Sequence, residues 1–131
     1  MSFASDVAKF AAKVGKSVDE TGRAIALELF GSIIKDTPVD TGRARGNWQT
    51  TIDTPSNGEV DRTGSSVALG ELGSTAPSFV AGKVIYLSNN LPYIYRLEYD
   101  GWSDQAPSGF VRKNVARIQQ IVRKAASDNK I

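Results

Sequence analysis

The chain has 131 residues, of which 16 are Lys or Arg and 14 are Asp or Glu, and it contains no histidine and no cysteine. The length fits a single domain over residues 1–131, which can bury a core without disulfides. The net charge of +2 is too small to indicate nucleic-acid binding by itself. Because the usual general base, the thiolate nucleophile and the commonest metal ligands are missing, we expect no enzymatic activity, no cofactor and no metal. No apolar run approaches the roughly 18 residues of a membrane span, so we expect a soluble protein without an export signal.

Residues 2–35 are predicted to form one long helix. Apolar residues recur every three or four positions from Val7 to Ile33, which is the spacing of one face of an α-helix. Gly15 weakens the helix, so a break there stays open, and Pro38 cannot continue it. The helix either packs along its whole length on the core, or its first third projects and packs on a neighbouring subunit.

The segment TPVDTGRARGNW, residues 37–48, follows this helix. Asp40 or Thr41 can cap a short helical turn that carries Arg43 and Arg45. The glycine before Asn-Trp is suited to end such a turn. The segment is therefore predicted to be a compact turn between the long helix and the first strand.

A small antiparallel sheet is predicted from two segments that a long loop separates. Residues 47–53 alternate in polarity and residues 83–88 are rich in Val, Ile and Tyr, as strands are. Residues 54–82 have turn composition throughout, with a candidate short strand at 67–69. A loop of this length often serves binding or becomes ordered on assembly, although an ordinary surface loop is the alternative.

Residues 91–111 hold three of the four tyrosines and one of the two tryptophans. Residues 93–99 have helical spacing, and an amphipathic helix is predicted over 108–127, with an apolar stripe opposite a basic face. The predicted fold class is therefore α+β. A long N-terminal helix and an amphipathic C-terminal helix pack on a small antiparallel β-sheet, with a long loop near 54–82.

Two catalytic or metal-binding interpretations are weak. The triplet Asp40-Thr41-Gly42 occurs at the catalytic turn of aspartic proteases, where a dimer would have to pair two carboxylates. Arg43 and Arg45 would lower the pKa of Asp40, whereas that mechanism needs it raised, so a helix-capping turn is favoured. Four carboxylates could be metal ligands but lack an ordered ligand spacing: Asp36, Asp40, Asp100 and Asp104.

The basic face of the C-terminal helix has two interpretations. It is either a solvated surface or a contact with DNA phosphates through charge alone. No helix-turn-helix, zinc-finger or RNA-binding motif accompanies it. The candidate DNA or channel contacts on this face are Arg112, Lys113, Arg117, Arg123 and Lys124.

Two segments, TPVDTGRARGNWQ (37–49) and IYLSNNLPYIYRLEYDGWSDQAPSGFVR (85–112), together carry a family resemblance. The chain resembles the neck and tail-completion proteins of tailed bacteriophages, the minor tail family that includes the lambda-like tail protein Z. That family shows a TPVDTG-R-G-W segment after a long helix, then N-N-x-P-Y, E-Y-G-like and Q-A-P-x-G-hydrophobic-R segments before a C-terminal helix. Asp100 departs from the pattern by separating Tyr99 from Gly101. The matching residues are Thr37, Pro38, Val39, Asp40, Thr41, Gly42, Arg43, Gly46 and Trp48, then Asn89, Asn90, Pro92, Tyr93, Glu98, Tyr99, Gly101, Gln105, Ala106, Pro107, Gly109, Phe110 and Arg112.

The resemblance implies a structural virion protein of the head–tail junction, present in the host cytoplasm during assembly. It implies a ring of copies, sixfold by the tail symmetry of the family, that contacts a head-closure or connector protein, the tail terminator or tail tube protein, and the genomic DNA in the channel. A tail terminator and a non-specific nucleic-acid-binding module are the alternatives. Aromatic and Arg side chains are favoured interface anchors, and the candidate interface residues are Asp40, Arg43, Arg45, Trp48, Tyr93, Tyr95, Glu98, Tyr99, Trp102 and Gln105.

Overall fold

The computed structural model describes residues 3–14, 17–39, 42–80, 82–99 and 109–127. These residues form helices packed on a two-stranded antiparallel sheet, which confirms the predicted α+β class. None of the described helices is both long enough and apolar enough to cross a bilayer. In chain order the elements are α1 (Phe3–Val14), α2 (Val18–Asp36), α3 (Arg43–Gly46), β1 (Gln49–Ile52), α4 (Ser66–Thr75), a 3-10 turn (Ala76–Ser78), β2 (Ile85–Ser88), α5 (Ile94–Tyr99) and α6 (Val111–Ser127).

The predicted N-terminal helix is two helices, because α1 ends at Val14 and α2 begins at Val18. Ser17 caps the start of α2, where its hydroxyl accepts the backbone N–H of Glu20 at 3.1 Å. The Ser17 hydroxyl also donates to the Glu20 carboxylate at 3.1 Å. A serine followed three residues later by a glutamate is a recognised start signal for a helix. The predicted long helix is therefore interrupted before Val18, where the extended Ser17 starts a new helix.

The two strands pair as predicted, in a register that runs from Gln49 opposite Ser88 to Ile52 opposite Ile85. The edge of β1 that faces away from β2 is covered by α4. There the Glu71 carboxylate accepts the backbone N–H of Thr50 at 2.9 Å. An unpaired strand edge invites unwanted strand pairing, so this contact protects one side of the sheet.

The prediction of one long loop over 54–82 is wrong for its second half, where α4 and the 3-10 turn lie. The candidate strand at 67–69 is likewise wrong, because these residues are helical. Gly and Ser lower the intrinsic helix propensity of this segment. Ala68 and Leu72, one helical turn apart, are buried against the core. Their burial compensates for the weak local preference.

The core lies between α2, α4, the end of α3 and the start of α6. Trp48 and Phe110 meet there edge to face, with ring centroids 6.3 Å apart. Farther along α6, Ile118 and Val122 are buried, which confirms the predicted apolar stripe. The core residues are Ile33, Ile34, Trp48, Ala68, Leu72, Ala76 and Phe110.

Candidate interaction site

Glu98, on α5, caps the start of α6. Its side chain is buried, with only 4 % of the residue exposed. The carboxylate accepts the backbone N–H groups of Phe110 at 2.7 Å, Val111 at 2.8 Å and Arg112 at 2.8 Å. Backbone N–H groups at a helix start lack partners within the helix, and the helix dipole favours an anion there. The Arg112 side chain closes the arrangement, donating through Nε to the carboxylate at 2.9 Å and also to the Glu98 carbonyl.

The environment of Glu98 holds its carboxyl group in the ionised form. Burial raises the pKa of Glu98, but the backbone hydrogen bonds from Val111, Arg112 and Phe110 and the Arg112 side chain together outweigh it, so the pKa lies below its usual value. A carboxyl group with a lowered pKa stabilises the fold above its unfolded pKa and loses that contribution as the pH falls through its folded pKa. Glu98 therefore acts as a fixed anion that joins α5 to α6.

The close contact between Glu98 and Arg112 at the start of α6 requires a glycine at position 109. Its φ of +86° lies in the left-handed region that side-chain-bearing residues avoid. A Cβ at this position would lie 2.8 Å from the Glu98 carboxylate and 2.9 Å from the Arg112 guanidinium. The glycine of the Q-A-P-x-G segment thus leaves room for the ion pair that starts α6.

Tyr95 and Tyr99 form an exposed aromatic stack one turn apart on α5. Their ring centroids are 4.6 Å apart, and the Arg112 guanidinium carbon lies 4.5 Å from the centroid of the Tyr99 ring. Tyr95 is 64 % exposed and Tyr99 49 %. Stacking and the cation–π contact hold the two rings in place on the surface of α5. We call Tyr95, Tyr99 and Arg112 the tyrosine surface, and such ordered, exposed aromatic groups are typical of interaction sites.

The described residues of segment 37–49, which are 37–39 and 42–49, make polar contacts with other parts of the same chain. The Thr37 hydroxyl donates to the Ile33 carbonyl at 2.6 Å and accepts the indole N–H of Trp48 at 2.8 Å. Arg45 donates through Nε to the Thr37 carbonyl at 2.8 Å. Two predicted interface residues, Trp48 and Arg45, are therefore used to fasten the end of α2 to the first strand. Trp48 lies in the core and is not on the surface.

The other predicted interface residues are distributed as follows. Arg43 is exposed and forms an ion pair with Glu59 at 2.7 Å. Tyr93 is half-buried just before α5. Three predicted residues lie outside the described part of the chain: Asp40, Trp102 and Gln105.

Sequence reasoning missed Arg62, which holds the first motif segment together. Its guanidinium donates to the carbonyls of Gly46 and Trp48, each at 2.8 Å, and forms an ion pair with Glu71 at 3.2 Å. Glu71 in turn accepts the Thr50 backbone N–H. Arg62 lies in a polar loop of turn composition, where no apolar periodicity indicates that its side chain makes contacts with the core segments.

The basic face of α6 is largely neutralised within the chain. Three of the five candidate DNA contacts form ion pairs: Arg112 with Glu98 at 2.9 Å, Lys113 with Asp36 at 3.5 Å and Arg117 with Glu28 at 3.2 Å. The hydrogen bond from the Asn114 amide, the chief cause, lowers the pKa of Asp36 despite partial burial, and Lys113 adds to the effect. Arg123 is exposed, and the side chain of Lys124 is outside the described part of the chain.

We expect the isolated chain to bind duplex DNA weakly, because its acidic residues already hold three of these cations. Glu28→Gln removes the ionic partner of Arg117, which keeps its hydrogen bond to the Ser32 hydroxyl at 2.9 Å. The variant should therefore bind DNA more tightly at about 50 mM salt, with a steep loss by about 200 mM. Asp61→Asn makes the same change in net charge at an exposed loop position and is the control. Fluorescence anisotropy measures both. Equal effects of the two variants would show that only the overall charge matters.

Of the four carboxylates considered as metal ligands, only Asp36 lies in the described part of the chain, and within that part no group of three or more Asp, Glu, His or Cys side chains could hold an ion. Asp36 instead pairs with Lys113. Asp100 and Asp104 lie outside the described residues, as do Asp40 and Thr41 of the protease-like triplet. Comparisons of the chain with family models, with curated proteins and with solved structures found no match.

Proposed function

We propose that the chain is a structural subunit of the head–tail junction of a tailed bacteriophage, a neck or tail-completion protein that assembles with copies of itself. The proposal starts from the resemblance of segments 37–49 and 85–112 to that family. One observation supports it most: the two segments, separate in sequence, meet in the fold. The rings of Trp48 and Phe110 are in contact, and the Asn89 amide donates to the Ala44 carbonyl at 2.9 Å.

The contacts of the motif residues also support an architectural role. Trp48 fills the core, Glu98 and Arg112 fasten α5 to α6, and Gly109 leaves room for them. These residues fix the relative positions of elements, which is what a subunit of a repeated assembly needs. The tyrosine surface remains exposed on the finished subunit, where a neighbouring subunit can reach it.

A deletion of the coding sequence tests the proposal. Infected cells that lack the protein are expected to accumulate filled heads and separate tails, visible by electron microscopy of the lysate. Supplying the intact chain from a plasmid, or adding the purified chain to the lysate, should restore joined particles. Infectious virions in normal number without the protein would contradict the proposal. Labelling of the chain on isolated heads or isolated tails distinguishes a neck protein from a tail terminator.

A further inference from the structure

We propose that Asn57 is a site of spontaneous deamidation, which converts its side-chain amide into a carboxylate and lengthens the backbone of the loop between β1 and α4. The inference does not depend on the proposed function. Asn57 is followed directly by Gly58, and it is the only asparagine of the chain with a glycine after it. A glycine has no Cβ, so a neighbouring group can approach its backbone nitrogen closely.

The fold leaves the reacting atoms of this pair accessible. Asn57 and Gly58 are both exposed. Neither the Asn57 side chain nor the Gly58 backbone N–H makes a hydrogen bond within the described part of the chain. A Cβ built on Gly58 would have no atom within 4 Å beyond the adjoining residues. The Asn57 side chain can therefore turn towards the Gly58 nitrogen without giving up a hydrogen bond.

The reaction needs only water and hydroxide. The Gly58 nitrogen loses its proton to hydroxide and forms a bond to Cγ of Asn57. The bond from Cγ to the side-chain nitrogen breaks, and this nitrogen takes a proton from water and leaves as ammonia. Water then opens the resulting five-membered cyclic imide at one of its two carbonyls. Opening at the side-chain carbonyl gives aspartate, whereas opening at the main-chain carbonyl gives isoaspartate, in which the backbone runs through Cβ and Cγ of residue 57.

The other asparagines in the described part of the chain lack both features. Cyclisation at any of them would break a hydrogen bond and would bring the side chain against a Cβ on the next residue. They are therefore internal comparisons for Asn57. Each donates through its side-chain amide to a backbone carbonyl at 2.7–3.2 Å, and each precedes a residue with a side chain: Asn47, Asn89, Asn90 and Asn114.

Asn57 lies between two carbonyls that one side chain holds. The Asn90 amide donates to the Ser56 carbonyl and to the Gly58 carbonyl, each at 3.2 Å. The Gln49 amide also donates to the Gly58 carbonyl, at 2.7 Å. An isoaspartate adds one backbone carbon between the two carbonyls, so Asn90 cannot keep both within hydrogen-bond distance. Deamidation should therefore loosen this loop from β1 and from Asn90.

Incubation of the purified chain at mildly alkaline pH, followed by proteolysis and mass spectrometry, tests the site. The peptide that contains Asn57 should gain about one dalton, and part of the product should accept a methyl group from an isoaspartyl methyltransferase. The four comparison asparagines should stay intact over the same time. Gly58→Ala should slow the conversion at least about tenfold, because its Cβ hinders the approach to the nitrogen.

The Gly58→Ala variant separates the chemistry from the fold. Gly58 is not among the glycines with a left-handed φ, and its Cβ would meet no neighbour, so the variant should keep the wild-type melting temperature. An Asn57 that remains intact in the folded chain after the urea-unfolded chain has been converted would overturn the proposal. Equal rates of conversion in the wild type and in Gly58→Ala would overturn it as well.

Asn57→Asp separates the added charge from the longer backbone, because it introduces the same carboxylate into a normal main chain. The Val60 backbone N–H donates to the Asn47 side-chain oxygen at 2.9 Å, so its hydrogen–deuterium exchange reports whether the loop stays attached. In the isoaspartate form, isolated after incubation, this amide should exchange about tenfold faster. Asn57→Asp should exchange like the wild type. Equal exchange in all three chains would overturn the loosening of the loop.

Discussion

Replacing Glu98 with alanine is expected to lower the free energy of unfolding by about 3–5 kcal/mol. The substitution leaves three backbone N–H groups at the start of α6 without an acceptor and removes the ionic partner of Arg112. Each unsatisfied buried donor is costly because the protein interior offers no water to replace the lost bond. Urea denaturation of the variant and the wild type measures the difference.

The matched control is Glu59→Ala. Glu59 also pairs with an arginine, Arg43 at 2.7 Å, but both side chains are largely exposed. Exposed ion pairs contribute little, so this variant should lie within about 1 kcal/mol of the wild type. Similar losses in the two variants would mean that the Glu98 carboxylate is not the cap of α6.

The same carboxylate should set part of the acid sensitivity of the fold. The folded pKa of Glu98 is lowered, so its contribution is complete above the unfolded value of about 4.3 and disappears as the pH falls through the lower folded value. Glu98→Gln keeps the size of the side chain but cannot titrate. Its stability should therefore be lower than that of the wild type near neutral pH and should fall less steeply below about pH 4.5. Parallel stability–pH curves would contradict this role.

Gly46→Ala is expected to destabilise the chain by about 2–3 kcal/mol, although alanine is the better helix former by about 1 kcal/mol. A Cβ at Gly46 would lie 2.6 Å from the carbonyl carbon of Arg62 and still closer to its oxygen. The backbone at Arg62 cannot move away easily, because the Arg62 guanidinium is hydrogen-bonded to the carbonyls of Gly46 and Trp48. Thermal or urea unfolding measures the loss.

Gly70→Ala is the matched control for this prediction. Gly70 is a glycine of α4, and a Cβ at this position would have no other atom within 4 Å outside its own stretch of helix. The substitution should stabilise the chain by about 0.5–1 kcal/mol, because alanine loses less backbone entropy in a helix. The two glycine variants should therefore change stability in opposite directions. A gain in both would show that segments 42–46 and 62–64 are less closely packed.

Elements with strong local periodicity were predictable from sequence. The pairing of β1 with β2, the helical turn of α5 and the amphipathic α6 all follow patterns that a short window contains. The start of α2 also had a local signal, Ser17 followed by Glu20, but the apolar periodicity running through this region concealed it. The helix α4 had no such signal, because its stability comes from burying Ala68 and Leu72 against residues distant in sequence.

The candidate site was predicted only in separate parts. Tyr95 and Tyr99 were expected at an interface and Arg112 at DNA, whereas the structure combines them in one stack. The reason is Glu98, which brings the end of α5 to the start of α6 across 14 residues of sequence. Neither spacing nor composition indicates which helix start a given carboxylate will cap. Single candidate interface residues can therefore be predicted from the sequence, whereas the sets of them that lie together on the surface cannot.

The pairing of α2 with α6 has a consequence for the order of folding. Asn114 bonds to Asp36 across 78 residues of sequence, and Arg117 bonds to Glu28 across 89. Contacts that distant slow folding, since a long stretch of chain must close before they form. On the ribosome, α2 is synthesised long before its partner, so its apolar face awaits α6 in the nascent chain. The packing of α2 is thus complete only once α6 has been synthesised and has docked against it.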